Sequence, residues 1–304
     1  MTPPTTPAEA VPHLGESAEL REIRRQLEAG AKLTGTLAAR FHRALHAHDP
    51  LATEESLASL PGNRGVHLYD SLVAWAPIRA GERVVDIGCG SGGATRSAAA
   101  AVGPEGQVIG VDTSAEALAA ARDRTPGDLP VSYRRCDART MNFLTDRSVD
   151  CVVASLMLDE VEDLRPVLNE VFRVLRPGGR FVASVTDFDT WRAMDVAFIG
   201  AVLAVVGTHS PGAFAGRALR PGIPHDKADR LAFLDSGLAT VEEQGIQLAA
   251  VFEDADDAWR LFARSQIGRV LGEEGRAELM AALARRTPHT IYVPIRFLRT
   301  RRPG

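Results

Sequence analysis

The sequence predicts an α/β protein built on a Rossmann-like, doubly wound sheet, with N-terminal helices and a helical lid insertion. Two observations predict this fold. Five short runs rich in β-branched residues alternate with alanine-rich, helix-length segments between residues 83 and 185, which is typical of βαβ units with strands buried on both faces. The first run leads directly into a glycine-rich loop that opens a helix, as in folds that bind a nucleotide-like ligand at the carboxyl edge of the sheet.

The predicted elements follow in chain order. Residues 17–48 show helical periodicity that breaks at Gly30, and a further helix is predicted over His67–Trp75. The parallel strands are predicted at Arg83–Ile87, Val108–Val111, Val131–Tyr133, Asp150–Val153 and Phe181–Val185, with helices at Thr95–Ala101, Ala115–Arg124 and Leu164–Leu175. Beyond them the pattern predicts helices within Asp189–Phe214 and at Asp226–Leu234, Asp256–Ser265 and Glu274–Arg285, and strands at Ile246–Phe252 and Thr290–Leu298.

The domain organisation is predicted to be one catalytic domain, because 304 residues with 45% hydrophobic content supply one large core. The proline-rich residues 1–14 are predicted to form a disordered tail. Residues 15–304 are predicted to divide into an N-terminal helical cap (15–80), a cofactor-binding core (81–187), a lid insertion (188–236) and C-terminal strands and helices (237–304).

Composition excludes several classes of partner. A net charge of −4 provides no basic field for a nucleic acid. Three cysteines, none of them in a C-x-x-C pair, fit a reducing compartment. The N-terminus lacks the charged and apolar regions of a signal peptide, and the most apolar stretch, residues 196–206, is too short to span a bilayer. We therefore expect a cytoplasmic protein with a small-molecule substrate and neither nucleic-acid nor membrane partners.

The glycine-rich loop, residues 86–93, carries the first functional signal. Gly88, Gly90 and Gly93 satisfy the dinucleotide fingerprint G-x-G-x-x-G, which by itself is a weak signal. Asp86 changes this interpretation, because its carboxylate would repel a pyrophosphate bound at the helix N-terminus. S-adenosylmethionine has no phosphate and carries an ammonium and a sulfonium, which an acid attracts. The loop therefore favours S-adenosylmethionine over NAD.

Two further acids follow the next two predicted strands. Asp112 ends the second strand, where a βα unit presents a carboxylate to the ribose hydroxyls of an adenosine, which both kinds of cofactor contain. Asp137, followed by Ala138, ends the third strand, where a carboxylate can accept from the adenine amino group. Because the carboxyl ends of parallel strands share one edge of the sheet, Asp86, Asp112 and Asp137 together predict an adenosyl site.

These motifs resemble those of the class I S-adenosylmethionine-dependent methyltransferases, particularly the small-molecule branch that includes the ubiquinone and menaquinone biosynthesis methyltransferases. The resemblance covers roughly residues 70–187, well under half of the chain. It rests on Val85–Gly92, Gly110–Ser114, Cys136–Ala138, Val149–Ser155 and Val174–Phe181.

The resemblance implies a seven-stranded sheet with an antiparallel last strand, and S-adenosylmethionine as methyl donor. It also implies cofactor-binding roles: Asp86, Gly88, Cys89, Gly90 and Gly92 at the methionine end, Asp112 and Thr113 at the ribose, Asp137 and Ala138 at the adenine, and Ser155 at the rim beneath the sulfonium. The chain departs from many relatives after the fourth strand, where Leu156–Glu160 contains no histidine.

The catalytic residues stay unassigned, since methyl transfer needs mainly alignment and exclusion of water, with a base only for a protonated acceptor. Candidate bases at the rim or lid are His67, Tyr69, Asp159, His209 and His225, each of which can equally be a surface or packing residue. Asp159, Asp187 and Asp189 suggest a magnesium site, but Asp189 also suits a helix N-cap, and no metal is predicted.

The predicted function is methyl transfer to a small, partly hydrophobic metabolite, with oxygen favoured over nitrogen or carbon, as in secondary metabolism. This substrate class is suggested by the apolar side chains of the predicted lid, some of which must belong to the core: Phe188, Trp191, Met194, Phe198, Leu203 and Phe214. Two alternatives stay open. One is an S-adenosylmethionine-binding protein with a different reaction such as cyclisation, and the other is an NAD-dependent oxidoreductase. The acceptor and the oligomeric state are not predicted.

Overall fold

A computed structural model describes residues 17–58, 67–187, 196–213, 227–239, 241–263 and 266–304. Its centre is one seven-stranded sheet in the order β3-β2-β1-β4-β5-β7-β6. The strands are β1 (Arg83–Ile87), β2 (Gln107–Asp112), β3 (Val131–Arg135), β4 (Val149–Ser155), β5 (Leu175–Thr186), β6 (Glu242–Phe252) and β7 (His289–Arg301).

The strand directions confirm the predicted fold class. Strands β1 to β5 run parallel, whereas β7 runs antiparallel to β5 and pairs in turn with the edge strand β6. The chain order reverses at β1, which lies between β2 and β4. In such open sheets this reversal opens a crevice at the carboxyl ends of the strands, and ligands bind there.

Helices cover both sides of the sheet in the described part of the chain. They are α1 (Ala18–Glu28), α2 (Gly35–His48), α3 (Ala52–Ala58), α4 (Leu68–Trp75), α5 (Gly93–Val102), α6 (Ala115–Asp123), α7 (Arg165–Val174), α8 (Val196–His209), α9 (Lys227–Asp235), α10 (Ala255–Ala263), α11 (Gln266–Val270) and α12 (Glu273–Ala284), with a 3₁₀ turn at Leu158–Glu160.

The core has two layers because successive strand residues point to opposite faces of the sheet. Val84 and Val108 belong to the cluster that contains the buried residues of α1, α2, α4, α5, α8 and α10 to α12. Their neighbours Val85 and Ile109 belong to the second cluster, with α7 and α9. Because both faces of the sheet are buried, successive residues of these strands are apolar rather than alternately apolar and polar.

Two local features differ from the sequence prediction. The strand β5 begins at Leu175, before the predicted Phe181, and Pro177–Gly178 interrupt it: Leu175 pairs with Val149, and pairing with β4 resumes at Arg180. Gly178 has a φ of +75° there, which is a conformation that glycine adopts without strain. The short helix α3 was not predicted at all, since seven residues carry too little periodicity to show an apolar face.

Several sequence predictions concern residues outside the described ranges. These are the disordered tail, residues 1–14, and much of the lid insertion, namely residues 188–195 and 214–226. The two described helices of that insertion flank the sheet, with α8 against α12 and α9 against α7. No described helix is long and apolar enough to cross a membrane. The domain boundaries stay predictions.

Candidate active site

The glycine loop joins β1 to α5 at the point where the strand order reverses. Gly88, Gly90 and Gly92 have φ values of +65°, +54° and +89°, which side-chain-bearing residues rarely adopt. A Cβ on Gly88 would lie 2.3 Å from Met157 Cγ, whereas a Cβ on Gly90 would meet no atom within 4 Å. The loop therefore has one side covered by Met157 and an open approach at Gly90.

Three backbone N–H groups of this loop are committed within the protein. Cys89 N donates to Val111 O (3.0 Å), and Gly92 N donates to Cys89 O (2.9 Å). Gly90 N donates to the Asp112 carboxylate (2.9 Å). A pyrophosphate at a helix N-terminus depends on such N–H donors being available. The loop is therefore poorly suited to a dinucleotide.

Asp86 lies fully buried at the end of β1, beneath the loop. Thr95 Oγ1 donates to its Oδ2 (2.6 Å), and among the described residues no donor reaches its Oδ1. Burial raises the pKa of Asp86 to about 7, opposed by the Thr95 hydrogen bond and assisted by the charge of Asp112. An incompletely paired acid at this point favours a cationic ligand above it.

Asp112 ends β2 and faces the same loop. Besides the bond from Gly90, its Oδ1 accepts from Ser114 N (2.8 Å), and Ser114 in turn caps α6 by accepting from Ala117 N. A carboxylate offers about four acceptor positions, so Asp112 keeps capacity for ribose hydroxyls. One side chain thus holds the glycine loop and the start of α6 and faces the predicted cofactor position.

The remaining predicted cofactor residues lie along the same edge of the sheet. Asp137 forms an exposed ion pair with Arg139 (2.5 Å), and this hydrogen-bonded pair lowers the pKa of Asp137. Thr113 is exposed and Ala138 is half-buried. Ser155 Oγ, at the end of β4, is 3.1 Å from Ser184 Oγ of β5. Their contacts with a cofactor stay predictions.

An N-terminal segment, Gly35–Ala58, crosses above the loop, and we call it the roof. At its start Gly35 N donates to Glu162 (3.0 Å), which follows β4. Further along, α2 packs against α6, which follows β2. Because β1 lies between β4 and β2 in the sheet, the roof must pass over the carboxyl end of β1. It thereby covers the crevice in which the glycine loop lies.

Glu54 of α3 attaches the roof to the loop. Its carboxylate accepts from Ser91 Oγ (2.5 Å), pairs with Arg96 of α5, and pairs with Arg124 at the end of α6 (3.2 Å). Glu54 is buried, so these charge-assisted bonds offset the loss of its hydration. Glu54 was not predicted as a site residue, because its partners are far away in the sequence.

A second missed group joins the roof to the segment after β4. His42 and His46 lie one turn apart on α2, and both face Glu160. His46 Nε2 lies 3.3 Å and 3.4 Å from the two Glu160 oxygens. Burial tends to lower the pKa of His46, but Glu160, with a contribution from Asp112, raises it to about 9. Asp112, a predicted cofactor-binding acid, therefore acts electrostatically on His46.

Three of the residues predicted as candidate bases are exposed or engaged in contacts between structural elements. His67 is exposed at the N-cap of α4 and makes no capping hydrogen bond. Asp159 accepts from Thr186 N (2.8 Å), a bond that joins the 3₁₀ turn to β5. His209 Nε2 lies 2.8 Å from Glu278 Oε2, and this pair joins α8 to α12. His225 lies outside the described residues.

Tyr69 of α4 does lie at the loop. Its ring occupies the space next to Gly93, where a Cβ would come within 2.3 Å of it. Burial, then the charges of Glu54 and Asp86, raise the pKa of Tyr69 above its usual range. The phenol is therefore protonated at neutral pH, and it suits hydrogen bonding and packing better than proton abstraction.

The acids suggested for a magnesium site have other contacts where they are described. Asp187 pairs with Arg296 of β7 at 2.6 Å, while Asp189 lies outside the described ranges. Within the described residues no group of three or more histidine, cysteine, aspartate or glutamate side chains is arranged to hold a metal ion.

The apolar side chains of the predicted lid divide between core and surface. Phe198 of α8 is buried and stacks on Phe252 and His289, at ring-centroid distances of 5.7 Å and 5.0 Å. It therefore belongs to the core beside β6 and β7. Leu203 is 37% exposed, and the other four fall outside the described residues.

Comparison with known proteins gives a family for the central part of the chain. Residues 85–183 match a family described as a methyltransferase domain. Over 238 residues the chain is 32% identical to an uncharacterized 37.1 kDa protein in transposon TN4556 of Streptomyces fradiae, covering 78% of this chain and 64% of that protein. Over 125 residues it is 37% identical to the ubiquinone/menaquinone biosynthesis C-methyltransferase UbiE of Pseudomonas syringae pv. tomato, covering 40% and 48%. The chain thus spans less than two thirds of the length of these curated relatives.

A solved structure shows the same fold. Phosphoethanolamine N-methyltransferase 2 of Haemonchus contortus, in complex with S-adenosyl-L-methionine, matches with a TM-score of 0.53 at 16% sequence identity. The match covers 93% of this chain and 60% of that one.

Proposed function

We propose that this chain, which carries a class I S-adenosylmethionine-dependent methyltransferase domain, transfers a methyl group to the oxygen of a small, partly hydrophobic metabolite. The cofactor of the domain is S-adenosylmethionine. The acceptor class, the oxygen and the role of the whole chain are the proposal, and they are supported by the chemistry of the crevice beneath the roof.

One observation carries the proposal: the glycine loop combines committed N–H donors with two acids. Gly90 N already donates to Asp112, and the buried Asp86 keeps one oxygen without a described donor. These residues fit a ligand that has positive charge and no phosphate. Asp86 and the loop would hold the methionine end, and Asp112 the ribose.

When bound, S-adenosylmethionine supplies a methyl carbon that its sulfonium activates for in-line displacement. The chain's own residues have to orient the acceptor and keep water out. The roof suits this role because Glu54 fastens it to the loop, while Gly35 fastens it to Glu162 on the other side. Access for the acceptor is therefore restricted by residues of α2 and α3.

Two features support a hydroxylated, partly apolar acceptor. Met157 and Tyr69 lie against Gly88 and Gly93 and place apolar surface at the loop. His46 and Glu160 form an imidazole–carboxylate pair at the crevice, and a hydroxyl, unlike a neutral amine, must lose its proton for methyl transfer. The quinone-biosynthesis relative supports a small molecule as acceptor. We also propose that the protein acts in the cytoplasm without nucleic-acid partners, in keeping with its net charge of −4.

The test of cofactor choice is thermal unfolding with S-adenosylmethionine, S-adenosylhomocysteine, NAD or NADP. A ligand that binds only the folded state at about a hundred times its Kd adds roughly 2.7 kcal/mol of stability. This corresponds to a rise in Tm of a few degrees. We expect the rise with the two adenosyl-sulfur ligands alone. A rise with NAD alone would show that the loop binds a pyrophosphate after all.

Methyl transfer itself is tested with hydroxylated aromatic compounds as acceptors, by mass spectrometry of product and S-adenosylhomocysteine. The two should form in equal amounts. Intramolecular cyclisation of a substrate, the alternative considered from the sequence, would give a product without any added methyl group. Transfer confined to amine or carbon acceptors would refute the choice of oxygen.

A further inference from the structure

The His46–Glu160 pair joins the roof to the 3₁₀ turn after β4, and it lies close enough to the predicted cofactor site for Asp112 to act on it. The two side chains come from opposite walls of the crevice, α2 of the roof and the 3₁₀ turn after β4. Both remain accessible to solvent, with 26% and 39% of their side-chain surface exposed.

The geometry defines which nitrogen of His46 is available. Nε2 lies within 3.4 Å of both Glu160 oxygens, so it carries a proton that it donates to the carboxylate. Nδ1 is then the second ring nitrogen and can take up or release a proton. A carboxylate that orients an imidazole in this way and stabilises its protonated form is a recurring arrangement for general bases.

The charges around His46 come from three elements. Glu160 faces it from the 3₁₀ turn, Asp112 acts on it from the end of β2, and His42 lies one turn away on α2. Charged groups of the helices packed against α2 have partners of their own. Glu19 of α1 pairs with Arg40, and Glu116 of α6 accepts from Ser114.

We propose that His46, oriented by Glu160, accepts the proton of the methyl acceptor, and that cofactor binding prepares it by driving off the proton it already holds. This proposal rests on the proposed function. In the free protein the two acids keep His46 protonated at neutral pH, because they raise its pKa to about 9. A bound cofactor adds net positive charge to the crevice that His46 borders, and this charge opposes the imidazolium.

The proton and electron balance of the step is simple. The acceptor O–H bond breaks with its electrons left on oxygen, and the proton passes to Nδ1 of His46. The new O–CH₃ bond forms as the methyl–sulfur bond breaks, with that electron pair going to sulfur. His46 is then an imidazolium paired with Glu160, and it returns its proton to solvent when the products leave. No oxidant, reductant or metal is required.

The experiment is an NMR pH titration of the histidine Cε1–Hε1 signals in the full chain. The His46 signal is assigned by its loss in His46→Gln, or by its perturbation in Glu160→Gln if the first variant does not fold. We expect saturating S-adenosylmethionine to weaken proton binding by His46 about a hundredfold or more, which would bring its pKa from about 9 to about 7 or below. S-adenosylhomocysteine, which lacks the sulfonium charge, should have a smaller effect, and Glu160→Gln should weaken proton binding without any ligand.

The chain offers a matched control in His209, which pairs with Glu278 between α8 and α12. At a fixed pH its signal should stay at the same chemical shift when the cofactor is added. If His46 has a raised pKa but does not respond to S-adenosylmethionine, the pair is a structural ion pair and the proposal is wrong. Cofactor binding is monitored by Tm in the same samples. Failure of both adenosyl-sulfur ligands to raise Tm would instead overturn the proposed function.

Discussion

The glycine loop and the roof face each other across one crevice, but they are held in place by different kinds of contact. The loop is held by local bonds, such as Thr95 to Asp86 and Gly90 to Asp112. The roof is held by ion pairs between distant parts of the chain, such as Glu54 with Arg124 and His46 with Glu160.

This difference separates the two halves of the site. Residues within one or two βα units of each other build the predicted cofactor half, so a short sequence motif can specify it. The proposed acceptor half depends on where an N-terminal segment comes to lie, and we expect changes in that segment to affect the acceptor more than the cofactor. Fold alone therefore says little about the acceptor.

Among substitutions in the glycine-loop region and the roof, we expect Asp112→Ala to have the largest effect on cofactor affinity. The change removes the acceptor of Gly90 and Ser114 together with the predicted ribose ligand. Hydrogen bonds to a charged group contribute roughly 1.5–3 kcal/mol each. We expect the affinity for S-adenosylhomocysteine to fall about a hundredfold by isothermal titration calorimetry. Unchanged affinity would show that Asp112 only holds the loop.

Asp86→Asn should change cofactor binding and stability in opposite directions. The pKa of Asp86 is raised to about 7 in the folded protein, so ionisation favours the unfolded chain, and wild-type stability falls as pH rises from about 4 to about 7. The variant lacks this loss. At pH 8 we expect its ligand-free Tm to exceed that of wild type by several degrees, while its cofactor affinity is about tenfold lower.

Thermal unfolding at pH 5 and pH 8 separates this effect from a simple packing change. The Tm advantage of Asp86→Asn should be small at pH 5 and larger at pH 8. An advantage that is the same at both pH values would mean that Asp86 does not titrate in this range.

The smallest of the three effects is expected at the roof, from Glu54→Gln. The amide keeps the size of the side chain but removes the charge that Arg96 and Arg124 share. We expect a loss of about 1–2 kcal/mol of unfolding free energy, measured by urea denaturation. Cofactor affinity should fall only a few-fold, because the ligand-binding groups of the loop are unchanged.

Glu105→Gln is the control for this variant, since Glu105 is exposed in the turn between α5 and β2. Its stability should stay within about 0.5 kcal/mol of wild type. If Glu54→Gln lowers cofactor affinity as strongly as Asp112→Ala, the roof and the loop form one unit, and the division drawn between them is wrong.

Much of the fold could be predicted because the spacing of apolar residues in helices and in strands is a local property of the sequence. The β1 prediction matches the observed Arg83–Ile87, and the late strands were placed within a few residues of β6 and β7. Prediction failed for α3 and for the interruption within β5. A two-turn helix has too few residues to show a pattern, and a strand interruption depends on the register with its neighbour.

The sequence by itself determined the sheet, the glycine loop and the two acids at the carboxyl ends of β1 and β2, because βα units place these residues by chain direction alone. Only the tertiary structure decided that α2 and α3 form a roof over β1, that Glu54 reaches Ser91, and that His46 meets Glu160. The physical reason is distance along the chain. Contacts between segments 37 to 114 residues apart follow from how helices pack on a completed sheet, and no local periodicity records that packing.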